Sequence, residues 1–326
     1  GATAKKIEMA KKEREARRFG WCRAEKEVWT KILDLYVQAL KTRHALETST
    51  QILELRERSY MLKKRLYEAG KISRIDLGDE AIAAADERRK LSLYKKRWEE
   101  LLFELSRTSH TELSPDGTVL EELEPFDGKS RVEAEFDATP EARELMARIA
   151  EKEEEISQYR RSQWPAVSLY GSYYLYGYDY RRLHRAVKNL ERTSWRVGAG
   201  IRVPLFSGFV YPQHLRQLRL ERERLRQELQ LRRREFLYKK SELSYGLRQS
   251  RRILDAAKEA EEGALRMQEL GERLRKERKI DELARIDRRI VALNRRLEAM
   301  DERTDAAYGA VALEILSRGV DECSLR

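Results

Sequence analysis

Between Gly1 and Gly70 a single glycine, Gly20, and no proline interrupts the chain, and so few breakers leave helix as the economical conformation for that whole stretch. From about Glu25 the apolar residues Val28, Ile32, Leu35, Tyr36, Ala39, Leu46, Ile52, Leu53, Leu55, Tyr60, Leu62 and Leu66 recur at mixed steps, many of three, four or seven. One helix, or two nearly continuous ones, is expected over 1–69, about 100 Å long at 1.5 Å per residue. Few compact domains have use for such a rod. The chain is 38% charged and 41% hydrophobic, with a mean hydropathy of -0.76. Those values suit helices with wet surfaces and narrow apolar seams.

The stretch 68–80, EAGKISRIDLGDE, breaks the rod. Gly70 suits the left-handed conformation at a helix end, and Ser73 followed by Asp76 is a capping box with Asp in place of Glu. A second helix is expected to about Ser106. Residues 107–139 hold Pro115, Asp116, Gly117, Pro125, Asp127 and Gly128 and read as a linker with at most a short strand. Thr139-Pro140-Glu141 then opens a helix that ends before Trp164-Pro165.

Two alternating segments follow. In 164–177, Val167, Leu169, Tyr173 and Leu175 share one face, with Ser168, Tyr170, Ser172, Tyr174 and Tyr176 on the other. In 194–208, Trp195, Val197, Ala199, Ile201, Val203 and Leu205 oppose Arg196, Gly198, Gly200 and Arg202. The pattern fits a hairpin in a lipid-embedded barrel, which must close to pair all its backbone groups. It fits equally a water-exposed hairpin packed on a helix.

After Gly208 the first third returns: a helix from about Pro212 to about Gly271, then another to about Leu316. Overlaying 65–80 on 273–288 places Lys71 on Lys279, Ile72 on Ile280, Ile75 on Leu283 and Asp79 on Asp287. The chain reads as two structural repeats.

Lys and Arg number 68 against 57 Asp and Glu, a net charge of +11. A basic chain raises nucleic-acid binding, yet the charges interleave, as in 219–236, and no nucleic-acid motif accompanies them. Cys22 and Cys323 read as two free thiols, or as a disulfide if the fold brings the ends together. Histidines 44, 110, 184 and 214 show no ligand or triad spacing, so neither an enzyme nor a metal or other cofactor is expected. No apolar stretch of about 20 residues is present to form a transmembrane helix.

In Pro165, Val167, Leu169 and Gly171, then Gly198, Pro204, Leu205, Phe206 and Gly208, and again in Gly70, Ser73 and Asp76 of the joint, the chain resembles the outer-membrane efflux protein family, the TolC-like channels. The resemblance covers residues 1 to about 320. It implies a mainly α fold: a segment of a long, antiparallel, coiled-coil-like helical barrel, with a transmembrane β-hairpin contributed to a trimeric β-barrel. It divides the chain into a first helical-tunnel repeat (1–110), an equatorial linker and returning helix (111–163), an outer-membrane hairpin (164–208) and a second tunnel repeat (209–326). The family's first strand pair and the helix before it are not in this sequence, so the resemblance implies either a fragment or processed piece of a longer protein, the favoured reading, or a degenerate relative. The implied role is a passive exit duct, placed in the outer membrane with its helices in the periplasm, in a tripartite efflux or type I secretion system. The implied partners are two further copies of the chain, a periplasmic adaptor, an inner-membrane transporter and outer-membrane lipid, with no specific nucleic acid. Gating candidates by the same resemblance are Asp281, Asp287, Arg285, Asp76 and Asp79, with Gly70 and Ser73 forming the helix joint. Arg278, Asp281 and Ala284 stand where Gly, Ser and Asp are expected, and Arg285 is placed to pair with Asp281. Arg196 and Arg202 are lumen candidates, and Tyr178 to Leu190 an external loop. The rival reading is a coiled-coil scaffold or peripheral structural protein with a water-exposed hairpin.

Overall fold

The computed structural model describes residues 2–115, 117–123, 135–177, 190–203, 209–278, 280–320 and 323, with no side-chain description for 2–6, 175–177 and 190–194. Among the described residues five helices and two strands follow one another: α1 (Ala2–Glu68), α2 (Arg74–Ser109), a 3-10 turn (Phe136–Ala138), α3 (Pro140–Arg161), β1 (Ala166–Gly177), β2 (Leu190–Arg202), α4 (Val210–Lys276) and α5 (Glu282–Ser317). The breaker-poor first segment is one continuous helix of 67 residues. α4 also has 67 residues, and α2 and α5 have 36 each. A shift of 208 residues carries both bounds of α1 onto α4 and both bounds of α2 onto α5. The two repeats are thus equal in length and in register, which the weak residue-by-residue match only hinted at.

The chain folds into two compact units. The larger comprises Arg18–Arg143 and Leu231–Arg326. Here the spacing of apolar residues on α1 puts Leu35, Ala39 and Leu40 against Trp98, Leu101, Leu102 and Leu105 of α2, with Leu120 closing the cluster. Leu40, Leu101 and Leu102 are at most 2% exposed, and burial of each such side chain contributes about 1.5–3 kcal/mol. The segment after α2 is tied down through its carbonyls: Tyr36 donates to Glu121 O at 2.6 Å, Arg43 to Leu120 O at 2.8 Å and Trp98 Nε1 to Pro115 O at 3.3 Å. A second cluster joins Ile52 and Leu55 of α1 to Ile286 and Ile290 of α5. The 3-10 turn is pinned by Phe136 packing on Phe236, ring centres 5.6 Å apart, and by Arg233 gripping Asp137 at 2.6 and 2.8 Å. Thr139 caps α3 as its sequence suggests, accepting from Ala142 N at 3.4 Å.

Cys22 and Cys323 form a disulfide, Cα atoms 5.7 Å apart across 301 residues of sequence. The free-thiol reading is overturned, because the end of α5 returns to α1. In the chain-entropy account, closing so long a loop contributes about 6 kcal/mol.

The smaller unit comprises Gly1–Arg17 and Glu144–Gln230. α3 lies on the start of α4 through Tyr159, stacked on Tyr211 at 5.0 Å, and through Lys152, which reaches Glu221 at 3.0 Å. Arg226 binds Glu153 at 2.7 Å. The two strands pair antiparallel from Ala166↔Arg202 to Gly177↔Leu190, with an irregularity at Tyr174/Leu175. Val167, Leu169, Gly171 and Tyr173 oppose Ile201, Ala199, Val197 and Trp195, so the two apolar rows read from sequence align on one face.

The expectation of a transmembrane hairpin in a trimeric β-barrel is not met. β1 and β2 form a two-stranded sheet, an open ribbon neither curled nor closed. Alternation reports only that one face is greasy, whereas closure requires a partner for the outer edge of each strand. Packing of that face on a helix is absent too: Val167, Leu169, Val197 and Ile201 are each at least 70% exposed. Among the described residues no helix is long and apolar enough to cross a membrane.

Candidate functional site

The site lies in the larger unit, where each long helix turns into its shorter partner. α1 ends in a Schellman motif: Gly70 N donates to Tyr67 O and Lys71 N to Leu66 O, both at 2.8 Å. Gly70 has φ +71°, the left-handed region that a side chain disfavours. Ser73 then caps α2. Its Oγ accepts from Asp76 N at 3.1 Å, while Ser73 N and Oγ donate to Asp76 Oδ2 at 3.0 and 2.7 Å. Those bonds from the Ser73 hydroxyl and amide hold the Asp76 carboxyl below its ordinary value.

The second joint repeats this geometry with other residues. Arg278, shifted 208 residues from Gly70, also sits left-handed at φ 60°, and its N–H reaches Arg275 O at 2.8 Å. Asp281 replaces Ser73 as the cap, accepting from Ala284 N at 2.7 Å. Ala284 stands in the place of Asp76 and gives no return bond to the cap.

A charge cluster surrounds the joints. Glu80, 4% exposed, accepts from Lys63 at 2.6 Å and Arg56 at 3.3 Å. Burial pushes its carboxyl up, but the ammonium of Lys63 and the guanidinium of Arg56 outweigh that and hold it below the usual range. At the second joint Glu282 meets Arg58 at 2.9 Å, Arg275 at 2.5 Å and Arg285. It is held low in the same way, burial opposed by Arg285, Arg275 and Arg58. Arg285 also grips Glu272 at 2.9 Å, and its hydrogen bonds to Glu282 and then Glu272 raise its pKa against the opposing effect of burial. The expected Arg285–Asp281 pair is replaced by these two, because Asp281 is occupied in capping.

Where the first repeat has the Glu80–Lys63 pair, the second has Arg288 and Gly271. Gly271 is buried beneath the Arg288 side chain, and a Cβ there would stand 3.2 Å from its Cδ. The arginine occupies the room that the missing side chain leaves.

Of the residues expected from sequence, Gly70, Ser73 and Asp76 come together as the first joint, and Asp281 and Arg285 belong to the second. Asp79 and Asp287, related by the same shift, are both exposed, and Asp287 lies 3.9 Å from Arg56. Arg196 and Arg202 are exposed on the β2 face opposite the apolar row, opposite Ser172 and Ala166. Their expected lumenal position rested on ring closure. Pro204, Leu205, Phe206 and Gly208, residues 178–189 of the expected external loop, and Asp116, Pro125, Asp127, Gly128 and Lys279 lie outside the described residues. Sequence reasoning missed Glu80, Glu282, Glu272, Arg56, Arg58, Lys63 and Arg275. A usable signal existed: in an antiparallel helix pair, residues about equally far from the turn face each other. Arg275 with Glu282 and Glu272 with Arg285 flank Arg278 in that manner, with opposite charges. Among the described residues no group of three His, Cys, Asp or Glu side chains is placed to hold a metal ion.

No family model and no curated protein matches the sequence. Solved structures do match over nearly the whole chain. The outer-membrane protein VceC of Vibrio cholerae superposes with a TM-score of 0.77 at 15% identity, covering 98% of this chain and 77% of that one. The CmeC outer-membrane channel of Campylobacter jejuni gives 0.75 at 15% identity, covering 97% of this chain and 67% of that one. The MtrE channel of Neisseria gonorrhoeae in its open state gives 0.65 at 15% identity, covering 95% and 72%. This chain therefore has the fold of outer-membrane channel proteins. The expected likeness to such channels is met at the level of fold, the barrel hairpin excepted.

Proposed function

We propose that the protein is the helical-duct component of an outer-membrane exit channel: a passive conduit through which substrates delivered by an inner-membrane transporter leave, coupled to it by a periplasmic adaptor. Its helices stand in the periplasm, three copies surround the duct, and outer-membrane lipid is among its partners. The observation that carries this reading is the repeat: two helix pairs equal in length and register, in a chain whose whole length follows solved channels. A duct wall needs such long paired helices and no nucleophile.

The joints are the proposed gate. Asp76 and Asp281 are occupied as helix caps and Arg285 by two glutamates, so the acids left to face a permeating ion are Asp79 and Asp287, one in each repeat.

The full-length protein, reconstituted into planar bilayers, tests the proposal. Stepwise conductance together with a trimeric mass by native mass spectrometry is expected. A monomer that leaves the bilayer sealed refutes it.

A further inference from the structure

Lys26 is an anomaly in the larger unit: a lysine only 7% exposed. Its ammonium donates to Leu316 O at 2.8 Å and lies 3.2 Å from Glu141. Leu316 O belongs to the last turn of α5, where carbonyls lack helical partners and attract a cation. Glu141 lies in the first turn of α3, so one side chain ties three helices. Burial pulls the Lys26 pKa down, with Glu141 opposing. Four residues before Lys26, one helical turn away, is Cys22, bonded to Cys323 beyond the end of α5. Gly319 packs close to the carbonyl of Ala138, where a Cβ would be 3.7 Å away. The space left among Cys22, Lys26, Pro140, Gly319 and Cys323 is about 10 Å³, room for no more than a single water.

We propose that the Cys22–Cys323 disulfide is a redox-controlled strap: while it is closed it holds the end of α5 over Lys26, and reduction opens the junction and exposes the Lys26 amine. A buried ammonium is tolerated only while its acceptors stay in place. The disulfide is the covalent element fixing the segment beyond α5 to the helix that carries Lys26. Closing the strap removes two protons and two electrons from the two thiols and passes them to a disulfide of the thiol–disulfide exchange class, which leaves as a dithiol; a dithiol reductant reverses the step. The strap stands independently of the channel reading.

The test uses the whole chain, equilibrated with glutathione disulfide and then treated or not with dithiothreitol, followed by a short pulse of an amine-acetylating reagent and mass spectrometry. Acetylation of Lys26 is expected to rise at least about tenfold on reduction, as for a locally opened segment. Lys41, paired with Asp305 in the same unit, keeps its rate. Cys323→Ser, which leaves α1 untouched, reproduces the rise without reductant. Three results overturn the strap: Lys26 still protected when both thiols alkylate fully, Lys26 and Lys41 rising together as in general unfolding, or free thiols after equilibration with glutathione disulfide.

Discussion

Arg278 occupies the position that Gly70 fills in the first repeat, and both are left-handed, φ 60° and +71°. A side chain there clashes with the following carbonyl at a cost of roughly 1–2 kcal/mol. Glycine removes that strain but enlarges the unfolded ensemble, costing about 0.4–1 kcal/mol. Arg278 is exposed and the αL position is what the second joint requires, so little packing is lost. Arg278→Gly should therefore stabilise the larger unit by about 0.5–1 kcal/mol, a midpoint rise of about 1–4 °C for a unit of this size. The mirror change, Gly70→Ala, meets no atom within 4 Å, so its whole effect is backbone strain and it should destabilise by about 1 kcal/mol. Both are read by circular dichroism at 222 nm in thermal and urea melts. A lowered midpoint for Arg278→Gly, or a neutral Gly70→Ala, would refute the equivalence of the joints. In the same assay Ala284→Asp, which restores the reciprocal bond that Asp76 makes to Ser73, should add about 0.5–1 kcal/mol and sum with Arg278→Gly.

Glu80→Gln should cost about 1–3 kcal/mol by weakening charge-assisted bonds to Lys63 and Arg56. Because the folded carboxyl is held low, its contribution is full above the ordinary value of 4.5 and lost as pH falls below it; the acid limb of a stability–pH curve should flatten in the variant. Tyr308 donates to Asp34 at 2.8 Å, and burial, with that carboxylate, pushes its hydroxyl up to about 12. The folded state then holds a proton that the unfolded state has lost, so stability should fall between pH 10 and 12 by up to about 2 kcal/mol. Tyr308→Phe should remove that fall, and an unchanged alkaline limb would disprove it.

The helices, the first joint and the faces of the strands were legible because each rests on local chemistry: breaker spacing, a Gly–Ser–Asp cap and period-two alternation. What was not legible depended on which parts meet. Cys22 finds Cys323 only because α5 returns to α1, and nothing within either neighbourhood announces it. Glu80 looked like its exposed neighbour Asp79 until the α1–α2 pairing brought Lys63 to it. The hairpin failed for a different reason, since alternation describes one strand's faces and carries no information about how many strands share a sheet. Net charge says little as a whole-chain quantity. Residues 1–17 and 144–230 hold 22 Lys and Arg against 13 Asp and Glu, which is +9 of the total +11. The larger unit is close to neutral because its charges face one another across helix pairs.

The repeat also sorts the acids of the joints by role. Asp76 and Asp281 sit at helix starts with backbone amides as partners, so Asp76→Asn should lower stability and leave conduction unchanged. Asp79 and Asp287 occupy one equivalent position and have no structural duty that the geometry reveals beyond the 3.9 Å approach of Arg56 to Asp287. In the channel proposed above, these two exposed carboxylates, multiplied by the copies around the duct, would form a ring of charge that attracts divalent cations. Asp79→Asn with Asp287→Asn should therefore relieve block of the conductance by millimolar Mg²⁺ while leaving the melting midpoint within about 1 °C, as expected for exposed substitutions. If the double variant melts early and is still blocked, the two aspartates belong to the scaffold, and the gate must be sought in the Glu282–Arg285–Glu272 network instead.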